Sequence, residues 1–248
     1  MIQLERPNCP SELTLKKSEL TEEYKSSKKP VWKKTFITIP LQKMSNDKCC
    51  FCECKLGEEG KYMQVEHFHH KNDYEDEVVD WNNLLPICIR CNSHKRSHDT
   101  YINPIIDPTI QNPQNHIYMS KYRIKGKDGL GKLTTEVLDL NDTEEIIVPR
   151  FKVANKVLDK LEQTFEMVKT YDITTGSPIE KAKIIRKFRS LLKECGSKYP
   201  YSATVSTVIL SDHLYDETKS LFSIKGIWTE ELQTLEDAAT KVKLDVMP

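Results

Sequence analysis

Two Cys-x-x-Cys pairs, Cys49/Cys52 and Cys88/Cys91, bracket an acid–histidine step, Glu66-His67. The x-x spacing lets two thiolates of one tight turn grip the same ion. Two such pairs make the tetrahedral four-sulfur set that zinc takes. Cys50 and Cys54 offer competing pairs such as Cys52-Glu53-Cys54, but the spacing favours Cys49 with Cys52. Two pairs of buried free thiols are the plainer alternative. Six of the eight cysteines fall between Cys49 and Cys91, which argues for local ligation, while Cys9 and Cys195 read as ordinary thiols. An ion joining pairs this far apart in the chain closes a long loop. Its binding energy then becomes folding energy for a module too short to bury much apolar area.

The residues between and just after the pairs have the types needed to cut a phosphodiester. A histidine with an ordinary pKa near 6.5 accepts a proton from water at neutral pH. A neighbouring carboxylate holds a hard divalent ion through oxygen, and the ion stabilises charge on phosphate and leaving oxygen. A second oxygen ligand has to come from another element, and Asn92, just past Cys91, is placed for that role. His69 and His70 compete with His67 as the base, but His67 directly follows the acid. His94 stays open as a supporting group, and His98 reads as surface.

This constellation resembles the HNH endonucleases, the ββα-metal nucleases. The resemblance implies that His67 is the general base and that Glu66 and Asn92 hold a catalytic Mg²⁺ or Mn²⁺. Asn83 is then the middle asparagine that braces the loop and orients the histidine, with Asn82 as its competitor. Lys95, on the helix face of Asn92, would contact phosphate. Val65-Glu66-His67-Phe68, Lys71, Trp81-Asn82-Asn83-Leu84-Leu85-Pro86, Cys91-Asn92 and the opening Ile2-Gln3-Leu4-Glu5-Arg6 are similar to the nucleases of Septu- and retron-type anti-phage defence. That narrower resemblance implies a partner ATPase of the ABC/SMC-like kind and DNA ends carrying 5′-phosphate and 3′-hydroxyl. The rival readings are a non-catalytic zinc module that binds nucleic acid or protein, and a stand-alone restriction or homing-type nuclease.

The charges near the site fit a phosphate backbone. Arg90, Lys95 and Arg96 adjoin it, and further lysines and arginines lie over 121–132 and 181–193. Phosphate contacts position a nucleic acid without reading it, and nothing in the sequence reads base edges, so weak sequence specificity is expected. Lys+Arg and Asp+Glu both number 37, giving zero net charge, which does not exclude DNA because charge can be segregated.

The elements that must position these residues divide the 248-residue chain into four spans. Residues 1–46 read as a basic arm with one helix near Glu12 to Tyr24 and Trp32 and Phe36 as anchors. Residues 47–103 carry the nuclease core and zinc site. Residues 104–149 contain many prolines and glycines and read as loops around a hairpin, with strands over Tyr118–Lys125 and Lys132–Leu140 and a turn at 127–131. Residues 150–248 are helical and form a natural docking surface for a partner. Ala154, Val157, Leu158, Leu161, Phe165 and Val168 share one helix face. Ser177-Pro178-Ile179-Glu180 is a capping box with proline at the first position, and the apolar face beyond it runs Ala182, Ile185, Phe188 or Arg189, and Leu192. A last helix carries Leu232, Leu235, Ala238 or Ala239, and Val242. The expected class is α+β: a zinc-stapled ββα core, a hairpin extension and a helical C-terminal region. No apolar run approaches the roughly 18 residues of a membrane span, and the first residues do not read as a secretion signal. A cytoplasmic location without membrane contact is therefore expected.

Overall fold

The structure, a computed structural model, describes residues 1–58 and 62–247. It is mixed α+β and divides into two compact units. The first unit comprises residues 1–117 and 125–140, the second 118–124 and 141–248.

The first unit begins with α1 (Ser11–Ser27), which buries Leu13, Leu20 and Tyr24. Helix α2 (Thr35–Met44) buries Ile37, Leu41 and Met44, the four-then-three spacing of one face. Pro40 lies inside α2 and has no amide to give the carbonyl of Phe36. Strand β1 (Met63–His67) pairs antiparallel with β2 (Leu84–Cys88), with Glu66 opposite Leu85 and His67 opposite Leu84. All five residues of β2 are buried. Helix α3 (Ile89–Lys95) follows directly, its first turn capped by the Cys88 sulfur. Helix α4 (Pro113–His116) carries an Asn112 cap and proline at its start.

Residues 117–140 correct the expected hairpin. Strands β3 (Ile117–Ser120) and β4 (Arg123–Gly126) both lie within or beside the segment read as one strand. The chain reverses at Lys121 and Tyr122, whose φ angles of 49° and 65° are those of a two-residue primed turn. That turn ordinarily carries Asn or Gly, so Lys-Tyr gives no signal of it. The second expected strand, Lys132–Leu140, is largely helix: α5 (Gly129–Val137) starts where Asp128 Oδ1 accepts from Gly131 N at 2.8 Å. Gly131 is required here, because a Cβ would stand 1.9 Å from the His116 carbonyl oxygen.

The second unit is built on α6 (Val148–Thr170), which packs against α7 (Pro178–Glu194), α8 (Ser202–Leu210) and α9 (His213–Ile224). Helix α10 (Glu230–Thr240) covers α7 and α8. A short strand, β5 (Asp245–Val246), runs parallel to β3, with Tyr118 opposite Asp245. The face of α6 buries Ala154, Val157, Leu161 and Val168. Ser177 Oγ accepts from Glu180 N at 3.1 Å at the start of α7. The buried face of α7 is Ile184, Phe188, Leu191 and Leu192, so Phe188 and Leu192 lie on it as expected, while Ala182 is exposed and Ile185 half-buried. Phe188 anchors the core, its ring centroid 4.6 Å from that of Phe222 and 5.8 Å from that of Tyr215. No described helix is long and apolar enough to cross a membrane.

Candidate functional site

The four thiols of Cys49, Cys52, Cys88 and Cys91 are buried and lie within 4.8 Å of one another. Each pair owes its place to a backbone turn. After Cys49, the Glu53 amide donates to the Cys49 carbonyl at 3.0 Å, and Glu53 takes the left-handed conformation at φ 62°. The Cys49 amide donates to the Cys54 carbonyl, and Lys48 bridges Lys55, which closes the knuckle. At the second pair, β2 runs into α3, and the Cys91 amide donates to the Cys88 sulfur at 3.4 Å. Cys50 N donates to the Pro86 carbonyl at 2.9 Å, tying the knuckle to β2. A tetrahedral zinc with bonds of about 2.3 Å requires sulfurs about 3.8 Å apart. Cys52 and Cys88 stand at 3.7 Å, so the set fits that ion. Cys50 and Cys54 are buried beside this set, with the Cys54 thiol close to those of Cys49, Cys52 and Cys88, and the four mutually close thiols are those of the x-x spacing.

The acid–histidine step sits at the end of β1, with Glu66 4% and His67 5% exposed. His67 Nε2 lies 2.9 Å from the Val78 carbonyl oxygen. A carbonyl can only accept, so Nε2 carries the proton and Nδ1 carries the lone pair. The Trp32 ring packs edge-on against the imidazole at 4.5 Å between centroids. Burial, aided by the nearby charges of Lys71 and Lys95, lowers the His67 pKa to about 3, against the opposing pull of the Val78 bond. The ring is therefore neutral at physiological pH with Nδ1 unprotonated, and it is a weaker proton acceptor than the ordinary imidazole the sequence leads one to expect.

Glu66 engages α3. Its Oε1 accepts from the Lys95 ammonium at 2.6 Å, and Lys95 also donates to the His67 carbonyl at 3.1 Å. Burial raises the Glu66 pKa, and the Lys95 charge works against that rise. Asn92, on the same helix, donates through Nδ2 to Gln64 Oε1 at 2.5 Å. One cavity of about 780 Å³ is lined by Glu66, His67 and Asn92 together with Trp32, His70 and Arg96. A hard divalent ion keeps several waters and needs few protein oxygens. The Glu66 carboxylate and the Asn92 amide oxygen are of the right chemical kind to hold one.

Asn83 is buried below the loop that follows β1. Its Oδ1 accepts from His69 N at 2.6 Å, while its Nδ2 donates to the carbonyls of His69 at 3.1 Å and Glu77 at 3.2 Å. Its own carbonyl accepts from Phe68 N at 2.9 Å. The residue thus ties the chain just after His67 to the segment that leads to Val78. Asn82, by contrast, is exposed and is held through its backbone amide by Asp80 Oδ1.

The neighbouring histidines go elsewhere. His69 stacks on Tyr101 at 3.7 Å and lines a second cavity of about 410 Å³. Its Nδ1 donates to Thr100 Oγ1, since the Thr100 proton goes to the Phe68 carbonyl. His70 lines the larger cavity, with Nδ1 2.9 Å from Asp73 Oδ2. His94 is exposed, and His98 bonds to the Asn103 carbonyl.

Two expected phosphate contacts need correction. Lys95 cannot meet phosphate, because its side chain is fully buried and paired with Glu66. Arg90 donates to the carbonyls of Leu138 and Asp139 and to Asp139 Oδ2, so it braces the end of α5. Arg96 is exposed and lines the cavity. Trp32, Gln64 and the Val78 carbonyl were not foreseen. The period of two along β1 places Gln64 on the Glu66 face, so that contact had a signal. Nothing in the sequence ties Trp32 or Val78 to His67.

No protein-family model matches the chain, and no solved structure matches it. The chain is 41% identical over 236 residues to the Septu protein PtuB of Bacillus thuringiensis, which covers 95% of this chain and 92% of that protein. It is 26% identical over 230 residues to the Septu protein PtuB of Bacillus mycoides (strain KBAB4), covering 75% and 77% of the two chains. Similarity at that level, over almost the full length of both proteins, makes the chain a member of the Septu PtuB family.

Proposed function

We propose that the protein is a metal-dependent endonuclease of the HNH type that hydrolyses DNA phosphodiester bonds. It acts as the effector of an anti-phage defence system and is controlled by a partner ATPase of the ABC/SMC-like kind. The four-thiol cluster holds a structural zinc. The carrying observation is the placement of His67: an imidazole whose Nε2–H is engaged by the Val78 carbonyl, beside Glu66 and on the same cavity as Asn92. The defence role and the partner draw support from the relatives, both of which are named Septu proteins.

In this mechanism Glu66 and Asn92 would hold a Mg²⁺ or Mn²⁺. When bound, that ion would neutralise charge on the phosphate and the leaving oxygen. His67 Nδ1 takes a proton from water as the water oxygen bonds to phosphorus. The bond from phosphorus to the 3′-oxygen breaks, and that oxygen gains a proton from solvent. The ends are 5′-phosphate and 3′-hydroxyl. Val78 engages Nε2 and leaves Nδ1 as the basic nitrogen, Asn83 fixes the loop behind it, and Arg96, on the cavity wall, would meet the backbone phosphate.

The engagement of Glu66 by Lys95 favours a second reading, a zinc module that binds without cutting, since the acid is already neutralised. Plasmid nicking by the zinc-loaded protein, with and without Mg²⁺ or Mn²⁺ and with its partner present, separates the two. Nicking that requires the added cation supports the nuclease. DNA binding with an intact plasmid under all these conditions supports the binding module.

A further inference from the structure

The Lys95 ammonium touches two consecutive residues of β1. It donates to the Glu66 carboxylate at 2.6 Å and to the His67 carbonyl at 3.1 Å, and the Phe68 ring centroid lies 6.0 Å from it. The two side chains of the pair are 0% and 5% exposed. Stability alone is a poor account of such a pair, because apolar residues of similar volume often serve a buried position as well. A lysine also gives up much rotamer freedom when its whole stem is fixed. What the pair does supply is a carboxylate held in one orientation at the wall of the cavity that His67 and Asn92 share.

We propose that Lys95 is a positioning residue that competes with the catalytic divalent cation for Glu66, and so sets how tightly that cation is held. The inference rests on the reading of Glu66 as a ligand. A carboxylate whose charge is already balanced by an ammonium attracts a second cation less than a lone carboxylate would. In exchange, its oxygens stay fixed, and the His67 backbone is anchored by the same group. Removing the ammonium takes away the competing cation and loosens the geometry together. Divalent binding then tightens while turnover falls. A purely structural lysine would weaken both.

The test is Mn²⁺ binding to the full zinc-loaded chain, read by calorimetry and by Mn²⁺ electron paramagnetic resonance. Wild type is compared with Lys95→Met and Glu66→Gln. Lys95→Met should bind Mn²⁺ about tenfold or more tightly, since a full unit of opposing charge leaves a poorly solvated site. Its melting temperature should rise more on adding Mn²⁺ than that of wild type, because the ion replaces the missing partner. Single-turnover cleavage should be slower in the same variant. Lys95→Gln keeps an N–H donor for the His67 carbonyl while removing the charge, and gives the same result should the methionine variant not fold. A folded Lys95 variant, with full zinc and native helicity, that binds Mn²⁺ no better than wild type overturns the proposal. If Glu66→Gln loses Mn²⁺ binding while the Lys95 variants match wild type, this inference alone fails. Equal Mn²⁺ binding by wild type and Glu66→Gln would instead remove Glu66 as a ligand, and this inference with it.

Discussion

At the scale of single residues, His67 and Asn83 do different physical work within one loop. The His67 pKa is near 3 in the folded chain and near 6.5 when unfolded, so between those values the unfolded state binds the extra proton. Folding stability contributed by the neutral ring is therefore complete above about pH 6.5 and declines as pH falls toward 3, by about 1.4 kcal/mol per unit inside that window. Replacement by Gln should flatten this part of the profile, which urea midpoints at pH 7.5 and 5.5 without added Mg²⁺ would reveal. Equal slopes in both proteins would mean the imidazole is not held neutral. Asn83→Ala removes three side-chain hydrogen bonds in a buried setting and should cost about 2–4 kcal/mol. Its nicking rate should fall too, because the chain behind His67 is released; a urea titration and a plasmid assay on the same preparation check both parts. The site residues that can be named from sequence are those with rigid spacing, such as the cysteines and the Glu66-His67 step. The place of Lys95 is not legible in the sequence, because position on a helix face does not say which face is covered: the side of α3 toward β1 is buried, and Lys95 lies on it.

At the scale of elements, legibility follows whether local signals and tertiary packing agree. Helix α6 and the cap of α7 carry regular spacing and a serine cap, and both stand where the sequence puts them. Helix α8 is the opposite case: Ser-Ala-Thr-Val-Ser-Thr-Val-Ile-Leu favours strand by propensity, yet it is helical and almost wholly buried. Its polar side chains are met inside the fold, with Ser206 Oγ donating to the Ala239 carbonyl at 2.5 Å and Leu244 N donating to Thr207 Oγ1 at 2.8 Å. The segment 117–140 failed for a related reason, since its reversal uses Lys121-Tyr122 and its helix depends on the Asp128 cap. The close approach of α5 to His116 gives an element-level prediction. Gly131→Ala forces a methyl into the His116 carbonyl and should destabilise the first unit by about 1–3 kcal/mol, the usual range for overpacking, in a denaturant titration. An unchanged midpoint would show that α5 does not lie against α4 as described.

At the scale of the whole molecule, the two compact units have different sources of stability. The second has an apolar core around Phe188, Phe222 and Leu161. The first contains the thiol cluster, where a bound metal would itself contribute folding energy. Stripping zinc with a strong chelator, or replacing Cys88 by Ser, should melt the first unit while leaving the helices of the second. Limited proteolysis should then trim residues of the first unit and leave a helical fragment within 141–248. Full retention of protection in the first unit after metal removal would mean the cluster is not its staple. The zero net charge is spread over both units, so DNA affinity should depend on local cations such as Arg96 rather than on the overall field. The account centres on one claim, that the His67 ring is the base of a cutting site. The most direct measurement is single-turnover cleavage of plasmid DNA in Mn²⁺ by wild type and His67→Ala, at matched zinc content. Wild type should produce nicked circles, and the variant should be slower by about a hundredfold or more. Equal rates in the two proteins would contradict the account.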